Sequence, residues 1–306
     1  MRRTLYRFGF ALLTLFLFLW AHIVNAQMQV TPNPTITPVQ LVQNVLAGQG
    51  VTVSNITFTG NQEQIGFFSA LNTNLGMDSG VVISTGRVVD VVGPNTIGSR
   101  TTNFPLIPSY GPLDNIAGGF GNQDAAILEF DFIPLSDTIK FNYIFASEEY
   151  PEFVNGGFND VFAFFISGPG IAGTPNIALI PGTNTPVTID NVNAGSFAQF
   201  YVSNQPAPPG FTTQFDGFTT KLTAFRQVIP CSTYRLVMAI QDCGDGLYDS
   251  GVFLEAGSLQ TNPLSIARDT LNGFGGIAVE QCFNGALTIS RGRNLNQTLT
   301  VTYNVS

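Results

Sequence analysis

The sequence predicts an all-β chain: an antiparallel β-sandwich of jelly-roll type, followed by the beginning of a second β-sandwich domain. Three observations carry this. Ile127, Glu129 and Asp131 alternate with Leu128, Phe130 and Phe132, and Ile139, Phe141, Tyr143 and Phe145 recur at every second position. Such alternation buries one face of a strand and leaves the other wet, as in antiparallel sheets. The 306 residues include 32 Gly and 18 Pro, which suit many short strands joined by tight turns. Helical periodicity is absent outside a short helix expected at Leu41–Leu46.

Residues 1–26 read as a signal peptide. Arg2, Arg3 and Arg7 lead into an apolar run from Phe8 to Val24, and Val24-Asn25-Ala26 ends it, placing cleavage after Ala26. An uncleaved membrane anchor is the alternative, because the run approaches the length of a span. No later segment is long and apolar enough to span a bilayer. Residues 27–39 read as an extended Thr/Pro-rich arm. The sandwich is assigned to residues 40–259. Its strands are expected at Val51–Phe58, Gly80–Ser84, Ala125–Phe132, Thr138–Phe145, Asp160–Ser167, Ile177–Ile180, Phe197–Tyr201, Phe218–Phe225, Tyr234–Gln241 and Gly251–Ala256. Phe162–Ile166 is apolar throughout, as in a strand buried on both faces. Beyond Gln260, Ile277–Glu280, Ala286–Ser290 and Thr298–Tyr303 are again strand-like. A stretch that short cannot bury a good core alone, so further domains are expected after residue 306.

Only 10% of the residues are charged, against about 25% in an average domain. This excludes a disordered acidic tail and a coiled coil. The net charge is −8; removal of residues 1–26 leaves nine basic against 20 acidic residues, or −11. That balance repels phosphate backbones, so no nucleic-acid partner is expected, and it suits divalent cations. Cleavage also removes His22 and Trp20, the only His and the only Trp. Without imidazole, Ser-His-Asp and Cys-His catalysis and His-ligated zinc are excluded for the mature chain.

Three Cys remain, Cys231, Cys243 and Cys282. A straight strand between the first two would hold them about 40 Å apart, too far for a bridge, which needs Cα atoms within about 7 Å. Either that segment bends or one of the two pairs elsewhere, and the odd count leaves a thiol free or paired with another chain. One internal echo is visible: Asp78-Ser79-Gly80-Val81-Val82-Ile83 recurs as Asp249-Ser250-Gly251-Val252-Phe253-Leu254. Turn chemistry used twice explains it, with a shared ligand role as the alternative.

Three stretches carry a family resemblance. Phe145-Ala146-Ser147-Glu148-Glu149-Tyr150-Pro151-Glu152-Phe153 runs into Asn159–Gly168; Asp78–Gly86 lies upstream and Ala239–Gly257 downstream. Together they resemble the choice-of-anchor L domain of exported bacterial surface proteins. The resemblance implies a secreted or surface-tethered protein with a distal sorting or anchoring signal and no known enzymatic activity. Residues Val279–Gly285 with Leu299–Tyr303 are similar to the opening of a Calx-beta-like repeat, a spacer of long adhesins that in some cases binds calcium.

Two acidic clusters could carry chemistry. The first holds Glu148, Glu149, Glu152 and Asp160, with Asn155 and Asn159 between them; the second holds Asp242, Asp245 and Asp249, broken by Gly244 and Gly246. Calcium takes six to eight such oxygens, and Gly-rich loops let carbonyls turn inward. Glu148, Glu149, Asp160, Asp245 and Asp249 are the expected calcium ligands, although neither cluster has EF-hand spacing; ordinary turn chemistry is the alternative. A carbohydrate-binding, lectin-like module is the second reading, with Tyr150, Asn159 and Tyr248 at the sugar. A glycan hydrolase, which needs only a pair of carboxyls, is the third. The expected partner is therefore a cell-surface or extracellular one, a glycan among the candidates.

Overall fold

A computed structural model describes residues 27–261 except 72, 105–106, 118–121 and 206–212, together with the backbone of two later strands. Fifteen strands, all paired antiparallel, are described. They are β1 (Gln29–Pro32), β2 (Val51–Thr59), β3 (Ile65–Ser69), β4 (Ser79–Ser84), β5 (Gln123–Pro134), β6 (Thr138–Ser147), β7 (Val161–Ser167), β8 (Tyr201–Ser203), β9 (Gly217–Thr219), β10 (Leu222–Gln227), β11 (Tyr234–Asp242), β12 (Ser250–Glu255), β13 (Gln260–Thr261), β14 (Ser265–Thr270) and β15 (Gly285–Ser290). One sheet has nine strands, with β1-β3-β4-β12-β6-β9-β8 as its path and β10 and β13 also on β6; a second has the order β2-β5-β11-β7, and β14 and β15 pair with each other.

The alternation explains how the two sheets meet. Leu128, Phe130 and Phe132 of β5, Phe162, Phe164 and Ile166 of β7, and Leu236, Met238 and Ile240 of β11 share one core with Val81, Ile83, Phe141, Tyr143 and Phe145 of the large sheet. Aromatic rings lock the sheets across the gap. Phe162 stacks on Phe145 at 5.0 Å and meets Tyr143 at 5.4 Å, while Phe164 meets Phe141 at 4.8 Å. Both outer faces are partly covered too. A short helix, Gly111–Ala117, sets Leu113 against Val161, Ala163 and Ala239 behind the small sheet. Behind the large sheet, Val82, Ile144 and Phe253 pack with Phe68 and Phe215. The apolar run Phe162–Ile166 is thus covered on both sides, as its composition requires.

Several expectations need correction. The Thr/Pro-rich arm is an edge strand in its first half: β1 pairs with β3, and Met28 is buried. The short helix at Leu41–Leu46 is present as a wide π-type turn, entered through a capping box between Thr37 and Gln40. Ile177–Ile180 makes only isolated bridges, and Phe197–Tyr201 is mostly a tight helical turn leading into β8. Phe218–Phe225 is broken at Thr220-Lys221 into β9 and β10. Cys231 is exposed and Cys243 buried, both unbridged, on either side of the continuous strand β11. The echoed segments are neighbours: β4 and β12 pair, with Val82 opposite Phe253. The signal peptide, Cys282, Ile277–Glu280 and Thr298–Tyr303 lie outside the described residues; β15 covers the expected Ala286–Ser290.

Replacing Phe162 by Ala removes the ring that bridges the sheets. Such a change typically costs about 3–5 kcal/mol; urea unfolding is expected to show it, and a loss below about 1 kcal/mol would contradict this packing.

Candidate functional site

The inward rows of the core end, at one end of the sandwich, in polar side chains. In β7 the row Ile166, Phe164, Phe162 reaches Asp160; in β11, Leu236, Met238, Ile240 reaches Asp242; in β5, Phe130, Leu128, Ala126 reaches Asp124. On the large sheet, the rows through Val81 and Ile83, Tyr143 and Phe145, and Leu254 and Val252 reach Thr85, Ser147 and Ser250. All six are buried, so a plug of three carboxyls and three hydroxyls seals the apolar core.

The plug joins the two acidic loops. Asp160 accepts hydrogen bonds from the Cys243 backbone N–H at 2.9 Å and from the Ser250 hydroxyl at 2.7 Å. The Asp160 N–H points at Glu149 Oε2 at 3.4 Å, and the Glu148 N–H donates to the Asp249 carbonyl at 3.0 Å. Asp249 accepts from the Thr102 N–H at 2.8 Å. Gly86 lies so close to Asp249 that a Cβ there would fall inside its carboxyl group; the absence of a side chain at this position admits the acid.

Burial dominates the electrostatics. Glu148, Glu149, Asp160, Asp242 and Asp249 are 0–3% exposed. None of the ion pairs among the described residues reaches them: Arg87 and Arg100 go to Asp90, Arg235 to Glu129 and Asp131, and Lys221 to Glu255. Desolvation disfavours the charged form. It pushes Glu148 up to about 9, helped by the charge of Asp216, and Asp249 up to about 7. Burial raises Asp160 against the pull of its Ser250 and Cys243 hydrogen bonds. It raises Asp242 further, with the charges of Asp160 and Asp249 added, and Glu149 likewise, with the charge of Asp160 added. Neither oxygen of Asp242 nor of Glu148 has a well-formed hydrogen bond.

The remaining site candidates are placed differently. Asp245 is half-buried and caps its own turn, accepting from the Leu247 N–H at 3.1 Å. Asn159 accepts from the Asp190 N–H. Tyr248 is half-buried with its ring 4.7 Å from that of Phe153. Tyr150 corrects the sugar-site expectation. It is fully buried, its hydroxyl donates to the Val192 carbonyl at 2.6 Å, and its ring lies 4.9 Å from that of Tyr201, so it presents no face to a ligand. The expected ligand set omits Asp242 and Asp124. For both the signal was available, because each continues the inward row of its strand; at Asp124 a positive φ and an extra residue in β5 interrupt the regular alternation.

The fold and the site define a β-sandwich module closed at one end by a layer of buried carboxyls. The family model for the Choice-of-anchor L domain matches residues 29–260, and the chain belongs to that family. The family places it among surface-associated or exported proteins, as a non-catalytic module. No curated protein and no solved structure matches the chain. Among the described residues no helix is long and apolar enough to cross a membrane.

Raised carboxyl pKa values mean that the folded state holds protons the unfolded chain releases near pH 4. Stability is then fullest below that point and falls as pH rises through the folded values, about 7 for Asp249 and about 9 for Glu148. In excess chelator the melting midpoint is expected to drop by several degrees between pH 5 and pH 9; a midpoint that is flat or rises over this range would refute the protonated plug.

Proposed function

We propose that the chain is a non-catalytic display and adhesion module of the cell surface, held together by calcium at the carboxyl plug and continued by further modules of Calx-beta-like type. The observation that carries this reading is Asp242. It is wholly buried, has no well-formed hydrogen bond on either oxygen, and has Thr85 and the acids Asp160, Asp249 and Asp124 for polar neighbours. An unpaired buried carboxylate is costly, and a divalent cation is one way to compensate it. Asp160, Asp242 and Asp249 are the nearest donors, with Glu148, Glu149 and the Ser250 hydroxyl close by. Among the described residues no three acidic, His or Cys side chains are arranged as ligands of one ion; hydroxyls and backbone carbonyls would complete the shell, an irregular all-protein set that suits calcium better than magnesium, which needs near-ideal octahedral geometry and keeps several waters. The closed surface over the plug favours binding over hydrolysis. The crevice between Glu148, Asp249, Asp90 and Arg100 is too narrow to hold a water molecule.

Calcium at about 100 times its dissociation constant stabilises a protein by about 2.7 kcal/mol. The full chain is expected to melt several degrees higher in calcium than in chelator, and Asp160→Asn and Asp242→Asn are each expected to abolish the shift. An unchanged melt removes calcium from this reading. Adhesion is read separately, as retention of the labelled chain on cell surfaces or extracellular matrix; no retention removes that part.

A further inference from the structure

At the other end of β6 from the plug lies a groove of about 530 Å3, within the ~300–1,000 Å3 of typical small-molecule sites. One wall is the loop from Asn176 to Asn184 and the other is β10, through Thr223, Phe225, Arg226 and Gln227. Consecutive side chains of a strand point to opposite faces. Phe225 and Arg226 both line the groove, so it runs along the outer edge of β10, whose other edge is paired to β6. Phe225 is 66% exposed, the highest value among the large apolar side chains described.

Charge singles out this place. Residues 27–261 contain six basic side chains, and Arg87, Arg100, Lys221 and Arg235 are ion-paired. The two without an ion pair among the described residues are Arg226, in the groove, and Lys140, directly across from Phe225 in the β6–β10 register. Directly opposed residues present their side chains on the same face, about 5 Å apart. In a chain of pI about 4.5, an aromatic face flanked by two unpaired cations selects an anion. Gln227 and Asn184 add planar hydrogen-bonding ends at the exposed rim.

We propose that this groove binds an acidic glycan, one whose sugars carry a carboxylate. A pyranose ring would lie against Phe225, its carboxylate would meet the fork of Arg226, and its hydroxyls would meet Gln227 and Asn184. The inference deepens the adhesion reading and depends on it, but not on calcium. Lys140 and Ser147 are seven residues apart on β6, about 23 Å, which separates the groove from the plug.

The test is an array of oligosaccharides bearing uronic or sialic acid, their neutral counterparts and acidic peptides, probed with the full chain with and without chelator. Acidic sugars are expected to bind at least tenfold better than neutral ones and than peptides. Phe225→Ala and Arg226→Gln are each expected to lower that binding at least tenfold with the melting midpoint unchanged, and Arg226→Lys to restore part of it. Binding of no acidic glycan overturns the site, and equal binding of acidic peptides assigns the groove to a protein partner instead. Glycan binding that both variants leave intact keeps the adhesion reading and overturns this groove as its seat.

Discussion

The structure turns on the cost of keeping carboxyls out of water. Six strands from both sheets run their inward rows to one end, and there the apolar side chains give way to Thr85, Asp124, Ser147, Asp160, Asp242 and Ser250. Within this layer Asp160 ties β7 to the start of β12 and to the loop after β11. It thereby fixes how the sheets close on each other. With no ion pair to its carboxyls among the described residues, the layer is satisfied by protons, by hydroxyls and N–H groups, or by a cation. That restriction links the folding of the sandwich to its ionic surroundings.

The parts of the fold that were legible in the sequence are those in which one physical signal acted alone. β5 and β6 alternate cleanly because one face of each meets the core, β7 is apolar throughout because both its faces are covered, and the expected bounds of these three and of β11 agree with the observed ones within a few residues. β1 and β3 lacked that signal. Gln29–Pro32 contains a proline and sits at an edge, and Ile65–Ser69 is apolar on both faces because β3 belongs to a sheet covered behind by a second cluster. Ile177–Ile180 read as a strand because its apolar residues enter the main core, yet they do so from a loop that closes the open side of the sandwich. Gly111–Ala117 is too short to show helical periodicity.

The site was half legible for a related reason. Acidic residues crowded along the sequence pointed to two loops, and those loops meet. Density along the chain did not separate carboxyls that enter the core from those that stay in a turn, as Asp245 does. Parity makes that separation: Asp242 and Asp160 lie in step with the apolar rows of their strands. The echo between Asp78 and Asp249 shows the limit of motif matching. Both acids precede similar strands that pair with each other, but Asp78 is exposed whereas Asp249 is buried beside Gly86.

The pairing of β13 has a mechanical consequence. A pull on the chain beyond Thr261 first meets two residue pairs with β6, Gln260 with Lys140 and Thr261 with Ile139, and the Thr261 hydrogen bonds to the Gln49 and Gly50 carbonyls. That strand can peel while the sandwich stays whole, lengthening the tether by a few residues. The load then passes to β12, gripped over five residues by β4 on one side and over five by β6 on the other. Its first residue, Ser250, is bonded to Asp160 in the plug. A tug at one end of the molecule is therefore borne by the end that holds the acids, and whatever neutralises them also sets how much tension the module withstands.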